Sequence, residues 1–229
     1  MSLAHTIIVQ AFRLLTAIIF RIDTEQFSRV PEQGPLILLN NHVHFLEAPV
    51  VYSRLQPRQT IALVLAERWN KGWSRWLLDL IGAIPIRRGE SDVSAMHTSL
   101  EKLKAGHIIC IAPEGTRSKD GRLQKGHPGV LLLARRSGAP LLPMACHGYE
   151  NCEDNIRRLR RTDFNAAVGK PFHLNTRGKK VTRKVRQQMV DEIMYQMAAL
   201  LPPEYRGYYS DMSAATTEYL DFLPDPEEK

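Results

Sequence analysis

The chain is poor in the devices that hold small secreted folds together. Its 229 residues include only three cysteines, Cys110, Cys146 and Cys152. Their spacing offers no pairs, which excludes a disulfide framework and fits a reducing, cytosol-facing compartment. Long charge-free apolar runs are also missing. Residues 3–21 come nearest, but Arg13 sits in their middle, so a spanning helix of about 20 apolar residues is not expected. The same stretch lacks the leading basic residues and small-residue cleavage site of a signal peptide. There is no internal repeat, long linker or low-complexity tract. No recognised nucleic-acid motif is present, and the basic residues are not interleaved with stacking aromatics, so no specific nucleic-acid partner is expected.

What remains is an ordinary globular composition, 44% apolar and 24% charged, in a chain long enough for one sizeable α/β domain. Lys and Arg exceed Asp and Glu by 31 − 24 = 7. That excess favours an anionic partner: nucleic acid, an anionic membrane face or a phosphorylated substrate. Within residues 3–21, Thr6, Gln10, Arg13, Thr16 and Arg21 fall close to one side of a helix, and isoleucines, leucines and alanine fill most of the remainder. The pattern predicts an amphipathic N-terminal helix over residues 1–22, lying on a membrane or capping the domain. The main domain then spans 23–205. Residues 206–229 read as a C-terminal tail with a disordered end.

Along the main domain, a connector with a short strand occupies residues 23–35. Apolar strands are predicted at residues 36–40, 60–66, 108–112, 141–146 and, last, 164–169. Ile81 to Gly89 reads as an edge strand broken by Pro85. Helices are expected near residues 48–55, 92–105 (stopped by Gly106), 130–136 (ended by Gly138) and 183–201. Trp69, Trp73 and Trp76 share one helical face, either core or membrane-interfacial. The basic clusters Arg157–Arg161 and Arg177–Lys184 are either solvated faces or attractors of anionic lipid. Strands alternating with helices mean an α/β fold with a mostly parallel central sheet flanked by helices.

The informative stretch is the strand that ends in Asn40-Asn41-His42 and runs into a helix entered through Glu47 and Pro49. Proline and a carboxylate both suit a helix N-terminus. His42 therefore falls in a strand-to-helix turn and Glu47 at the helix mouth, on the sheet edge where open α/β folds bind ligands. A histidine and a carboxylate held there can act as a general base and the group that orients it. Two other readings are open from these residues. His42, His44 and Glu47 resemble part of a zinc site of a metal-dependent hydrolase, although His44 would point away from His42. The charge also permits a non-catalytic basic module on membrane or nucleic acid.

Four stretches in order, Asn41-His42-x4-Glu47, Gly82-x-Ile84-Pro85-Ile86-x-Arg88, Pro113-Glu114-Gly115-Thr116-Arg117-Ser118 and Ala139-Pro140-Leu141-Leu142-Pro143, resemble the four blocks of the glycerolipid acyltransferases. Among these the chain is similar to the 1-acylglycerol-3-phosphate acyltransferase (PlsC-like) group, over roughly residues 30 to 150. The resemblance implies a transfer of a fatty acyl group from acyl-CoA or acyl-carrier protein to the sn-2 hydroxyl of lysophosphatidic acid, giving phosphatidic acid. It implies His42 as base and Glu47 as its orienting acid, with no metal, no cofactor and no acyl-enzyme; the acyl thioester is a co-substrate. It implies that Arg88 and Arg117 hold the acceptor phosphate, with Gly115 allowing close backbone approach. Glu114 and Thr116 would shape that turn and bond the acceptor or each other. Pro143 would shape the acyl or CoA region. A peripheral enzyme on the cytoplasmic face of the cell membrane follows. Another acceptor, a lyso-aminolipid or glycerol 3-phosphate, would need little more than a reshaped pocket.

Two departures stand out. The family pattern has aspartate at position 47, so this chain's carboxylate must fold back by one methylene. Many relatives carry lysine where this chain has His127, and Lys125 is the nearby candidate to replace it.

Overall fold

The computed structural model describes residues 3–70, 72–87 and 92–224. In chain order it contains α1 (Leu3–Ile19), β1 (Phe20–Ile22), β2 (Leu36–Asn40), α2 (Glu47–Arg54), β3 (Thr60–Leu65), α3 (Gly72–Leu80), β4 (Ile84–Ile86) and α4 (Val93–Lys104). The second half adds β5 (Ile108–Ile111), α5 (Gly129–Ser137), β6 (Leu141–His147), α6 (Cys152–Arg157), β7 (Thr162–Val168), β8 (Phe172–Leu174), α7 (Arg183–Ala199) and β9 (Leu220–Phe222).

The strands form one sheet in the order β1-β7-β6-β2-β5-β3-β4, with β8 on β6 and β9 on β8. From β6 to β4 every pairing is parallel; β7 and β8 run antiparallel to β6. β2 lies at the centre because all its side chains from Leu36 to Leu39 are apolar. The two-residue period of a strand sends Leu36 and Leu38 to one face and Ile37 and Leu39 to the other. Leu36 and Leu38 join Phe20, Val50, Tyr149 and Phe164 in one core layer. Ile37 and Leu39 join side chains from α4, α5 and α7 in the second. The helices between them are bounded by local chemistry. Asp92 accepts the Ala95 N–H at 3.0 Å to start α4, and Gly138 at φ +64° ends α5.

Several elements differ from the sequence expectation. The N-terminal helix stops at Ile19, and Phe20–Ile22 form a strand parallel to β7. There Arg21 pairs with Asp163 at 2.6 Å instead of continuing a helical face. Residues 25–29 make a 3-10 turn, not a strand. Trp69 lies in a separate 3-10 turn before α3 and donates to Asp79 Oδ1 at 2.8 Å, so the three tryptophans do not share one helix. β7 is not the last strand.

The segment expected to be a tail is folded through residue 224. Tyr209 and Tyr219 are buried and β9 extends the sheet; the expected disorder of the final residues concerns 225–229, which lie outside the described residues. Buried Glu192 on α7 holds this segment, accepting from Thr216 Oγ1, Glu218 N and Tyr219 N at 2.6, 3.0 and 2.8 Å. Residues 205–209 also strap the loop before α5. Leu123 N donates to Tyr205 O and Tyr208 N to Leu123 O, both at 2.9 Å. Tyr209 Oη accepts from Gly126 N at 3.0 Å and donates to Asp191 at 2.9 Å. At Gly207 (φ +51°) a Cβ would lie 2.3 Å from Leu123 O, so only glycine fits this crossing.

The N-terminal helix exposes much of its apolar surface. Its polar Thr16 is fully buried and Arg13 Nε donates to Ser53 O on α2 at 3.1 Å. Leu3, Ile7, Leu14, Leu15 and Ile18 face outward. No helix among the described residues is long and apolar enough to cross a membrane.

Candidate active site

The carboxyl ends of β2, β5 and β6 converge on one edge of the sheet, and each contributes a turn. After β2, Asn41 is buried and makes two bonds to the backbone of Cys146 on β6, Nδ2 to O and Oδ1 from N, both 2.8 Å. This bidentate link continues the strand pairing through a side chain and sets where His42 emerges. Glu47, the first residue of α2, folds back over that turn. Its Oε1 accepts from His42 Nδ1. Its Oε2 accepts from Val43 N at 3.1 Å, His44 N at 3.4 Å and Tyr149 Oη at 2.7 Å. The extra methylene of glutamate is thus absorbed by bending the side chain onto backbone donors. With Nδ1 engaged, His42 Nε2 has no protein partner among the described residues, and the side chain is one-third exposed. That is the geometry of an oriented base open to an incoming proton donor.

The turn after β5 carries Glu114 to Ser118, the turn that Glu114 and Thr116 are expected to shape while bonding the acceptor or each other. Glu114 is 1% exposed. It accepts from His42 N at 2.9 Å and Gln124 N at 2.8 Å, and Ser118 N donates to His42 O at 2.7 Å. Two turns distant in sequence are therefore fastened backbone to backbone. Burial, with the nearby Glu47 charge adding to it, pushes the Glu114 carboxyl up to about 7, although the two N–H donors oppose this. Gly115, Thr116 and Arg117 are exposed beyond it. Among the described residues no carboxylate pairs with Arg117, so its guanidinium is available to an anion. Arg88 lies outside the described residues.

The two candidates for the family's lysine part company. Lys125 Nζ sits 5.6 Å over the ring of Tyr208. His127 lies against the turn, its Cδ2 only 3.3 Å from where a Cβ on Gly115 would be. The α carbon of Gly115 (φ +67°) is therefore closely approached as well as left-handed.

His44 points away from His42: its Nδ1 accepts from Leu46 N at 3.3 Å and its Nε2 bonds Glu153 at 3.1 Å. No group of three His, Cys, Asp or Glu among the described residues is placed to hold a metal ion. The thiols are not activated either. Burial pushes Cys110 up to about 12 and raises Cys146 well above its ordinary value, Glu47 adding to the latter, while Cys152 is raised less. Tyr149 is the site residue that the sequence did not reveal. It touches Glu47 from 102 positions away, and no local pattern marks it.

An α/β sheet thus carries an oriented histidine at its carboxyl edge, with an exposed arginine, unpaired among the described residues, in the turn beside it. The chain belongs to the Acyltransferase family, whose model matches residues 21–147. Curated relatives include the chloroplastic 1-acyl-sn-glycerol-3-phosphate acyltransferase BAT2 of Brassica napus, 27% identical over 56% of this chain and 38% of that protein. The 1-acyl-sn-glycerol-3-phosphate acyltransferase of Bacillus subtilis is 25% identical over 63% of this chain and 70% of its own. The chain spans only about four-tenths of the length of the plant relatives it matches (38% and 44%). Among solved structures, the 1-acyl-sn-glycerophosphate acyltransferase PlsC of Thermotoga maritima superposes with a TM-score of 0.62 at 19% identity, covering 86% of this chain and 79% of that one. The mostly parallel α/β sheet flanked by helices is that shared fold.

Proposed function

We propose that this protein acylates the sn-2 hydroxyl of 1-acyl-sn-glycerol 3-phosphate, using an acyl thioester of CoA or acyl-carrier protein, to give phosphatidic acid. The observation that carries this reading is the His42–Glu47 pair with Nε2 open, fastened through Glu114 to the turn bearing Arg117. The names of the relatives support the acceptor.

In this reading His42 Nε2 takes the proton of the acceptor hydroxyl as its oxygen attacks the thioester carbonyl. The tetrahedral intermediate collapses with cleavage of the C–S bond, and the departing thiolate receives the proton from the imidazolium. Glu47 holds the tautomer and stabilises the cation. A positioned base of this kind contributes roughly 10²–10⁴-fold. Arg117, with Arg88, forks onto the acceptor phosphate. No cofactor or metal enters, and the raised cysteines agree with direct transfer. The exposed apolar residues of α1, with Arg13 and Thr16 turned to the protein, support a peripheral seat at the membrane surface, where both lipids reside. The thioester donor and the three free cysteines favour its cytoplasmic face.

The test is thiol release from palmitoyl-CoA with and without lysophosphatidic acid, alongside His42→Ala. Release that requires both the acceptor and His42 is expected. Release that persists in His42→Ala refutes the assignment of the base. Activity only with a lyso-aminolipid or glycerol 3-phosphate would refute the acceptor and keep the chemistry.

A further inference from the structure

One group in contact with Glu47 stands outside all four sequence blocks. The Tyr149 hydroxyl donates to Glu47 Oε2 at 2.7 Å, the shortest bond on that oxygen. Tyr149 is fully buried. Its ring is stacked on Phe164 at 4.7 Å between centroids and meets the Phe20 ring edge-on at 6.4 Å. The hydroxyl is therefore held from the far side by aromatic packing, independently of Glu47. It stands two residues beyond β6, the strand that Asn41 ties to the catalytic turn. A glutamate at a helix mouth has one more torsion to freeze than an aspartate, and the two backbone donors alone accept either bend.

We propose that Tyr149 is a positioning residue for the acyl transfer: its fixed hydroxyl clamps the outer oxygen of Glu47 so that the inner one meets His42, and it makes glutamate the acid that fits this site. The inference rests on the reading of His42–Glu47 as base and orienting acid. Shortening the side chain by one methylene withdraws the carboxylate by about 1.5 Å, which breaks a 2.7 Å bond. The hydroxyl also takes up part of the carboxylate charge. The titratable groups facing Glu47 are His42 on its own turn, Glu114 from the turn after β5, and Cys146 and Tyr149 from β6 and beyond; Glu150 in turn faces Tyr149. Burial, and then the Glu47 charge, raise Tyr149 well above the ordinary phenol value. It stays a neutral donor throughout the working range.

The experiment is a double-mutant cycle of Tyr149→Phe and Glu47→Asp, with the ring stack kept intact by phenylalanine. Tyr149→Phe is expected to lower kcat about tenfold with little change in acceptor KM. It should also move the acid limb of kcat/KM upward by about half a pH unit, since a less shared carboxylate charge holds the imidazolium more tightly. In the Glu47→Asp background the same change should alter kcat by less than about twofold, because the partner oxygen has already withdrawn. The His42 ring resonance in NMR spectra, read without substrate, should shift on Tyr149→Phe in the parent and not in the Glu47→Asp protein. Equal losses in both backgrounds, or an unmoved acid limb and resonance, overturn the proposal. A shifted resonance in a protein that turns over no acceptor would uphold the clamp and refute the acyl-transfer reading instead.

Discussion

Replacing Glu114 by glutamine should separate stability from activity at this site. The buried carboxylate accepts one N–H from His42 and one from Gln124. Glutamine keeps a single acceptor oxygen, so one of these donors is left unsatisfied, at about 1–3 kcal/mol. Against this stands the cost of the charge itself. The folded-state value is raised from 4.5 to about 7. For a group shifted in that direction, the stabilising contribution is fully present below about 4.5 and is lost as pH rises through about 7. Integrating the shift gives a loss of about 1.4 kcal/mol at about pH 5.5 and about 3 kcal/mol at about pH 8. Glutamine carries none of this dependence. Urea unfolding of both proteins at those two pH values should therefore show the variant gaining about 2 kcal/mol on the parent between them. It should be the less stable or equal at the lower pH and the equal or more stable at the higher. The proposed acyl transfer should nevertheless fall at both, because the turns bearing His42 and Arg117 are no longer fastened at both N–H groups. A stability difference independent of pH would refute the assignment of a buried, charge-strained Glu114.

Three further outcomes follow from the same geometry. Asn41→Ala removes both buried bonds to Cys146, and should cost about 2–4 kcal/mol in urea unfolding while lowering kcat; an unchanged midpoint would remove Asn41 from the turn's support. Gly207→Ala places a Cβ against Leu123 O in a left-handed conformation and should cost about 2–4 kcal/mol in thermal or urea unfolding, with loss of acyl transfer. Leu14→Glu combined with Ile18→Glu alters two exposed positions of α1, so stability should stay within about 1 kcal/mol. Co-sedimentation with phospholipid vesicles should be lost; undiminished binding would detach α1 from the membrane.

The parts legible in the sequence were those whose cause is local. β2, β5 and β6 are uninterrupted apolar runs because both sheet faces are covered, and α4 and α5 carry their own caps and stops at Asp92, Gly106 and Gly138. Phe20–Ile22, Phe172–Leu174 and Leu220–Phe222 carried no such signal. Strands of three residues are made by the ladder they join, and Arg21 reads equally well as the end of an amphipathic helix until Asp163 is seen beside it. At the site, the spacing of His42 and Glu47 located the pair, since one turn of chain brings them together. The spacing in Glu114-Gly115-Thr116-Arg117 placed all four residues in one turn and was silent on which of them pointed inward. Alternation of that kind is decided by the backbone donors of His42 and Gln124, one of them 72 positions away.

The strap formed by residues 205–209 ties the candidate site to a part of the chain that is made much later. The loop it grips contains Gln124, whose N–H completes the hold on Glu114, and Gly126, one residue before the His127 ring against Gly115. A nascent chain presents His42 and Glu47 long before Tyr209, and that loop has no grip until Tyr209 has left the ribosome. Products of premature termination upstream of Tyr205 would keep His42 and Glu47 and lack the contacts that hold the loop beside them. The frame around the histidine is thus supplied from far along the chain, and the two form one unit only after the later part has docked.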